Sequence, residues 1–180
     1  RTMTFDRTGS TIRRCAPLVL AVGLAAPLAG AQTTWYVDGA FPPGGSGTQA
    51  APFDTIQAGI DAAAVNAGDV VLVAPGIYAE RIDFLGKNIR VDSSSVMGGP
   101  TIDAGHAGTA VTSGGPDWGN SQVLANFFVK NGNAPRGGGL FVSGASPRIE
   151  NCEFLGNQAL DEGAGADVEE MGTWAWRGSG

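Results

Sequence analysis

Two stretches of this chain match each other 25 residues apart: Leu124-Ala125-Asn126-Phe127-Phe128-Val129 and Ile149-Glu150-Asn151-Cys152-Glu153-Phe154. In both, an asparagine stands third and apolar residues stand first and last. A second pair of segments, residues 137–142 and 163–168, corresponds at an offset of 26. Repeats of this length are typical of solenoids, in which each repeat buries its apolar face only by stacking on the next.

The spacing inside the repeat indicates short strands joined by bends. Ile149 and Cys152 differ in parity, so a single straight strand would point them to opposite faces. If Asn151 adopts the left-handed conformation, which asparagine tolerates better than most residues, the chain bends and both side chains point inward. We therefore predict bends at Asn126 and Asn151. The predicted interior comprises Leu124, Phe127, Val129, Ile149, Cys152 and Phe154.

Outside the repeat, the sequence predicts further strands and one helix. Residues 34–37, 70–73 and 101–103 have the composition of strands. The helix is predicted from Asp54, as N-cap with Gln57 three residues on, to Gly68, as the left-handed terminal residue. Its apolar face would carry Ile56, Ile60, Ala63 and Ala64.

The first 31 residues have the layout of a secretory signal peptide. Arg13 and Arg14 precede an apolar run that ends in Ala29-Gly30-Ala31, so we expect cleavage before Gln32. The rival interpretation is a membrane anchor, but about 13 apolar residues fall short of the roughly 20 that a spanning helix needs. We therefore expect a secreted or cell-surface protein with no transmembrane anchor in the mature chain.

The charge and cysteine content restrict which binding partners and which disulfides the mature chain can have. Residues 32–180 hold seven basic and sixteen acidic residues, a net charge of −9 that repels phosphate backbones and argues against nucleic acid. Cys152 is the one cysteine left after cleavage and cannot form an internal disulfide.

The chain resembles pectin-lyase-like right-handed parallel β-helix proteins. Residues 47–61, 68–80 and 87–89 are similar to the family's entry segment, and residues 137–140 and 146–154 are similar to its coils. The resemblance implies an all-β, right-handed parallel β-helix with an N-terminal capping α-helix. It also implies polysaccharide as a partner, since the family includes pectate lyases and alginate epimerases beside surface proteins without known activity.

This interpretation divides the chain into four parts. They are a signal peptide at 1–31, an N-terminal strand, loop and capping helix at 32–68, β-helix coils at 69–168, and an atypical tail at 169–180. Because no further coil or polar cap follows residue 168, we expect the β-helix to be incomplete at its C-terminal end.

No complete catalytic, cofactor-binding or metal-binding constellation is visible. His106 could act as a general base, but no sequence motif of a catalytic nucleophile accompanies it. The spacing of the arginines does not place them along one groove. Asp83, Asp92 and Asp103 do not have the spacing of a known calcium-binding loop. Calcium, which enzymes of this fold often use, stays open as a cofactor. We expect a non-enzymatic exported scaffold that binds carbohydrate; the alternative is the N-terminal fragment of a polysaccharide lyase whose catalytic coils lie beyond residue 180.

Overall fold

The computed structural model describes residues 32–65, 68–95, 98–115, 122–162, 166–169 and 176–177. Within them lie one short helix, α1 (Ile56–Ala62), and sixteen strands. The strands are β1 (Thr34–Val37), β2 (Val70–Val73), β3 (Ile77–Tyr78), β4 (Ile82–Asp83), β5 (Arg90–Ser93), β6 (Thr101–Asp103), β7 (Val111–Gly114), β8 (Val123–Ala125), β9 (Phe128–Lys130), β10 (Asn133–Arg136), β11 (Leu140–Ser143), β12 (Arg148–Glu150), β13 (Glu153–Leu155), β14 (Gln158–Glu162), β15 (Ala166–Glu169) and β16 (Trp176–Arg177).

The strands form three larger sheets and one pair, and every strand pairing among the described residues is parallel. The first sheet runs β1-β2-β5-β8-β12-β16, the second β4-β7-β11-β15 and the third β3-β6-β9-β13, with β10 and β14 as the pair. Within each sheet, neighbours follow in chain order, so the chain visits the sheets in turn and then returns one layer further on. The protein is all-β with parallel sheets, an arrangement compatible with a β-helix-like solenoid.

The core is built from the inward side chains of the three sheets. In the first sheet, Val71, Val91 and Leu124 occupy successive paired positions and are fully buried, with Ile149 next in the row. Ile102 pairs with Val129 in the third sheet, and Ile82 with Val111 in the second. Each such side chain contributes about 1.5–3 kcal/mol when fully buried, so the rows of matched apolar residues are the main source of stability.

Helix α1 packs on β1, β2 and β4, of which β1 and β4 are terminal strands of their sheets. Ile56 and Ile60 are fully buried on the side that faces the core. Gly59 lies so close to the first sheet that an added Cβ would stand 2.7 Å from Val71 Cγ1. The helix therefore covers the core at the end where the sheets begin.

The structure corrects both predicted ends of the helix. The N-cap is Thr55, whose hydroxyl accepts a hydrogen bond from Ala58 N at 3.3 Å, and not Asp54. Glu80 completes this end from a distant segment, accepting from Ile56 N at 2.8 Å and Gln57 N at 3.0 Å. Burial raises the pKa of Glu80, and these two hydrogen bonds only partly offset that rise. Asp and Thr are both favoured N-cap residues, so local preference does not separate Asp54 from the adjacent Thr55, and the contribution of Glu80 leaves no local pattern.

At its other end the helix stops at Ala62, before the predicted Gly68. Lys87 Nζ donates to the carbonyl oxygens of Ile60, Asp61 and Ala63 at 2.8–2.9 Å, which satisfies acceptors that the helix leaves open. Gly68 does have a positive φ of 68°, but it lies beyond the helix. Ala64 is likewise outside the helix and exposed, contrary to the predicted apolar face.

Several sequence-based predictions fall outside the described residues. These are the signal peptide at 1–31, residues 163–165 of the second repeat, and the tail at 169–180 apart from the backbone of Glu169 and of β16. Of the predicted strands, residues 34–37, 70–73 and 101–103 are confirmed as β1, β2 and β6.

Candidate functional site

The two predicted bends lie directly above one another. Asn126 and Asn151 have φ angles of 64° and 50°. Asn151 Nδ2 donates to Asn126 Oδ1 at 3.3 Å, and Asn126 Nδ2 donates to Asp92 Oδ1 at 2.7 Å. These three side chains form a polar ladder at the corner between the first and third sheets, where its hydrogen bonds tie successive layers together.

The apolar residues of the repeat lie on the inward side of the same layers. Leu124 pairs with Ile149 across β8 and β12, and Val129 pairs with Phe154 across β9 and β13. Leu124, Phe127, Val129 and Ile149 are buried, whereas Cys152 and Phe154 are partly buried and pack against the core. The difference has a simple reason, because β13 is the last strand of the third sheet among the described residues.

The surroundings of the Cys152 thiol indicate a structural role and not a reactive one. Burial raises its pKa to about 11, so it stays protonated at neutral pH. The Cys152 thiol, a weak donor, lies with its Sγ 3.3 Å from the Glu150 carbonyl oxygen and 3.5 Å from that of Leu124. A protonated, hydrogen-bonded thiol is a poor nucleophile.

A chain of ion pairs crosses the outer face of the first sheet. Arg90 Nε lies 2.7 Å from Asp92 Oδ2, and Arg90 Nη1 lies 2.9 Å from Glu150 Oε2. Arg148 Nη2 binds the other oxygen of Glu150 at 2.6 Å. Burial alone would lower the pKa of Arg90, but these carboxylates outweigh it and raise that pKa. Both arginines are therefore already neutralised by the chain itself.

A third polar group sits at a turn after β6. Asp103 accepts from Asn131 Nδ2 at 2.8 Å and from Gly105 N at 3.1 Å, and it pairs with Lys130 Nζ at 3.1 Å. The Asn131 hydrogen bond is the largest cause of its lowered pKa. His106 is exposed in this turn with φ 59°. Among the residues that the structure describes, no three His, Cys, Asp or Glu side chains are placed to hold a metal ion.

The candidate ligand site is a groove beside the helix, where β4 and β7 meet the solvent. It consists of two adjoining depressions of about 450 and 410 Å³ that share Asp83 and Thr112. Gln57, Arg81 and Thr109 line the first, and Val65, Leu85 and three glycines line the second. We call the first depression the polar end of the groove and the second the apolar end.

Arg81 dominates the polar end. Its guanidinium lies over Gly108, where an added Cβ would stand only 2.6 Å from Nη1. Gly108 has φ 142°, a conformation that favours glycine, so the turn itself makes room for this side chain. Within the described part of the chain Arg81 forms no ion pair, unlike Arg90 and Arg148. It is an exposed cation that the described side chains leave open to an anionic or hydroxylated ligand.

The rest of the groove supplies hydrogen-bonding groups and an apolar wall. Asp83 uses one carboxylate oxygen to accept from Leu85 N at 2.8 Å, and Thr112 pairs with Asp83 across the sheet. Leu85 is 52% exposed with φ 54°, and Val65 is 61% exposed. Such a mixture of carboxylate, hydroxyl, guanidinium and aliphatic groups suits a polyhydroxylated ligand.

Nothing in the sequence was a reason to place Arg81 beside Asp83, because the arginines share no common spacing and Asp83 was considered only with Asp92 and Asp103. Thr109 and Thr112 join them because β4 pairs with β7, with Ile82 opposite Val111 and Asp83 opposite Thr112. The glycine at position 108 was a local signal of a special backbone, but nothing in the spacing identified Arg81 as its neighbour.

Comparisons of the chain with protein-family models, with curated proteins and with solved structures found no match. The class of protein rests on the geometry alone: an all-β chain of stacked parallel strands with one short helix. Among the described residues no helix has the length and apolar character needed to cross a membrane.

Proposed function

We propose that this chain belongs to an exported, right-handed parallel β-helix protein of the pectin-lyase-like kind. In this proposal it serves as a secreted or cell-surface scaffold that binds carbohydrate in the groove beside α1. The single observation that carries the binding role is Arg81, an exposed guanidinium seated over Gly108 in a groove lined by Asp83, Thr109 and Thr112.

Two findings and one general rule of strand connection support the β-helix part of the proposal. The strands of each larger sheet follow in chain order and are parallel. Parallel strands in one sheet are joined right-handedly in nearly all known cases, because of the strands' own twist. The polar ladder of Asp92, Asn126 and Asn151 connects successive layers by hydrogen bonds at one corner. A crystal structure with left-handed connections between successive layers would contradict it.

The groove's chemistry supports a saccharide. Sugar hydroxyls both donate and accept, so they pair with carboxylate, threonine and guanidinium groups, while the aliphatic face of a sugar ring packs on side chains such as Leu85. A shallow groove along an outer sheet face also admits a polymer, which an enclosed cavity would not.

Titration calorimetry with acidic and neutral oligosaccharides tests the proposal. We expect binding to an acidic series, such as oligogalacturonate or oligomannuronate, with neutral xylo- and cello-oligosaccharides weaker. Arg81→Ala should weaken binding by roughly tenfold or more, the effect of losing one charge-assisted hydrogen bond.

Arg148→Ala is the matched control, because Arg148 is also exposed but lies on the first sheet, away from the groove, paired with Glu150. Binding should be unchanged in that variant. Equal affinity of Arg81→Ala and the unmodified chain, or binding to none of these sugars, would refute the groove as the carbohydrate site.

The alternative is a polysaccharide lyase, which the same sugars can reveal. A lyase breaks uronate chains by β-elimination and releases products with a new carbon–carbon double bond that absorbs in the ultraviolet. Clear release of such products from polygalacturonate or alginate by this chain would replace the scaffold role by a catalytic one.

A further inference from the structure

The edge of β4 that faces away from β7 is closed by a side chain. Ile82 N and Phe84 N donate to Ala110 O and Thr112 O of the neighbouring segment. Because successive backbone groups of a strand point in opposite directions, the N–H and C=O of Asp83 point to the free edge. There, Asp83 N donates to Gln57 Oε1 at 2.8 Å and Gln57 Nε2 donates to Asp83 O at 3.2 Å.

The Gln57 carboxamide therefore makes the two hydrogen bonds that a neighbouring strand would make. It is held for this task, since Gln57 Nε2 also donates to Asp61 Oδ1 at 2.9 Å, one helical turn further on. The side chain projects from α1, whose ends are anchored by Glu80 and Lys87.

The corresponding edge of the first sheet is closed by backbone. Tyr36 N donates to Gly47 O and Phe53 N donates to Tyr36 O, both at 2.9 Å, and Asp38 N donates to Phe53 O at 2.8 Å. The loop before the helix thus covers β1. Open edges of sheets invite pairing with other chains, and covering an edge prevents it.

We propose that Gln57 is an edge-blocking residue that keeps a second copy of this chain from adding a strand to β4. The inference is independent of the proposed carbohydrate role, because its readouts are self-association and backbone protection in the absence of any sugar. The partner excluded is a second copy, because without Gln57 the β4 edge of each copy would expose the same Asp83 N–H and C=O.

The test compares Gln57→Ala with Gln49→Ala, an exposed glutamine of the loop before the helix. Alanine is at least as good a helix former as glutamine, so α1 keeps its intrinsic propensity. We expect Gln57→Ala to form oligomers in sedimentation velocity at concentrations where the unmodified chain and Gln49→Ala sediment as one species. Hydrogen exchange of the Asp83 amide should become roughly tenfold faster, as expected for one lost hydrogen bond.

A folded Gln57→Ala that stays a single species, or one whose Asp83 amide keeps its protection, would overturn the proposal. So would equal self-association of Gln49→Ala. If Gln57→Ala does not fold, the unmodified chain decides: its Asp83 amide must exchange as slowly as amides in the interior of β7, and fast exchange refutes the role of Gln57.

Discussion

Asn126 shows how a single residue shapes this protein. Its positive φ bends the chain between β8 and β9, so that Leu124 and Phe127 both reach the interior. Its carboxamide binds Asp92 on one side and Asn151 on the other. One side chain thus serves the bend and the stacking of layers, which explains why asparagine suits this position better than glycine.

Replacing Asn126 separates these two roles. Asn126→Gly keeps the backbone conformation and loses the hydrogen bonds, which should cost about 1–2 kcal/mol of unfolding free energy. Asn126→Ala also strains the left-handed backbone, so it should cost about 1–2 kcal/mol more. Urea denaturation measures both, and equal stabilities of the two variants would contradict the bend.

Asp69 is the second residue whose role depends on its environment. It is 1% exposed and accepts hydrogen bonds from Thr33 N and Ala64 N at 2.9 Å and from Trp35 Nε1 at 3.2 Å. Burial raises the pKa of its carboxyl group, but these donors and the charge of Lys87 outweigh burial, and the pKa is lowered from 3.8. Asp69 thereby connects the segment before the helix, at Thr33 and Trp35, to the segment after it, at Ala64.

This arrangement predicts a pH dependence with a definite sign. Because the folded state favours the ionised carboxylate, Asp69 stabilises the fold above its ordinary pKa of 3.8, and that contribution is lost as the pH falls through the lower folded pKa. Asp69→Asn should lose about 1–3 kcal/mol at neutral pH, since an amide leaves a donor facing donors.

The measurement is urea denaturation of the unmodified chain and of Asp69→Asn, at neutral pH and at acid pH. The difference between the unmodified chain and Asp69→Asn should shrink as the pH falls below 3.8. Asp54→Asn serves as control, because Asp54 does not cap the helix, and it should leave stability nearly unchanged at neutral pH. A gap that persists undiminished in acid would argue against the ionised Asp69 as its source.

At the scale of elements, α1 is a seven-residue helix stabilised almost wholly by its contacts. Isolated helices of this length are unstable in water. Here Glu80 caps its N-terminus and Lys87 its C-terminus, charges that also suit the helix dipole. Gly59 lets the helix approach the first sheet until its Cα faces Val71 and Val37.

Gly59→Ala tests this close approach. In an exposed helix the change would stabilise by about 1 kcal/mol. Here the new Cβ would lie 2.7 Å from Val71 Cγ1 and 3.0 Å from Val37 Cγ2, so we expect a net loss of about 1–3 kcal/mol. Thermal unfolding measures it.

Val71→Ala provides the control as a double-mutant cycle. With the smaller partner, Gly59→Ala should be less destabilising or even stabilising, since the closer of the two contacts is removed. Additive effects of the two changes would mean that the helix does not rest on Val71.

At the scale of the whole molecule, successive layers contain different numbers of residues, although their strands pair in a regular parallel register. Val71, Val91, Leu124 and Ile149 succeed one another at separations of 20, 33 and 25 residues. Because the sheets need only matched strands, loops between them can vary freely. This is why the sequence repeat is visible only between the last two of these layers.

Export is a prediction for the whole chain. Expressed with residues 1–31 in a bacterial host, the protein should be recovered outside the cytoplasm with Gln32 as its first residue, as measured by N-terminal sequencing and intact mass. Ala31→Leu should block the cut, because the position before cleavage requires a small side chain. A cytoplasmic product that keeps residues 1–31 would contradict the signal peptide.

How far the sequence could predict the fold depends on the range of each interaction. Composition rich in β formers located β1, β2 and β6, and the positive φ that asparagine tolerates located the bends. The predicted helix ends were wrong for two reasons: Asp54 and Thr55 are both favoured N-caps, and Lys87 binds the last carbonyl groups from more than 20 residues away. The groove was missed because Arg81 and Asp83 meet Thr109 and Thr112 only through strand pairing.

The sequence by itself thus determined which residues face inward and where the chain bends, because both follow from the two-residue period of strands and from local backbone preference. The tertiary structure alone decided which layer lies on which, where the helix stops and how the groove and the blocked edge of β4 are assembled. Those contacts join residues that are distant in the chain, and their register is set by the packing of the whole stack.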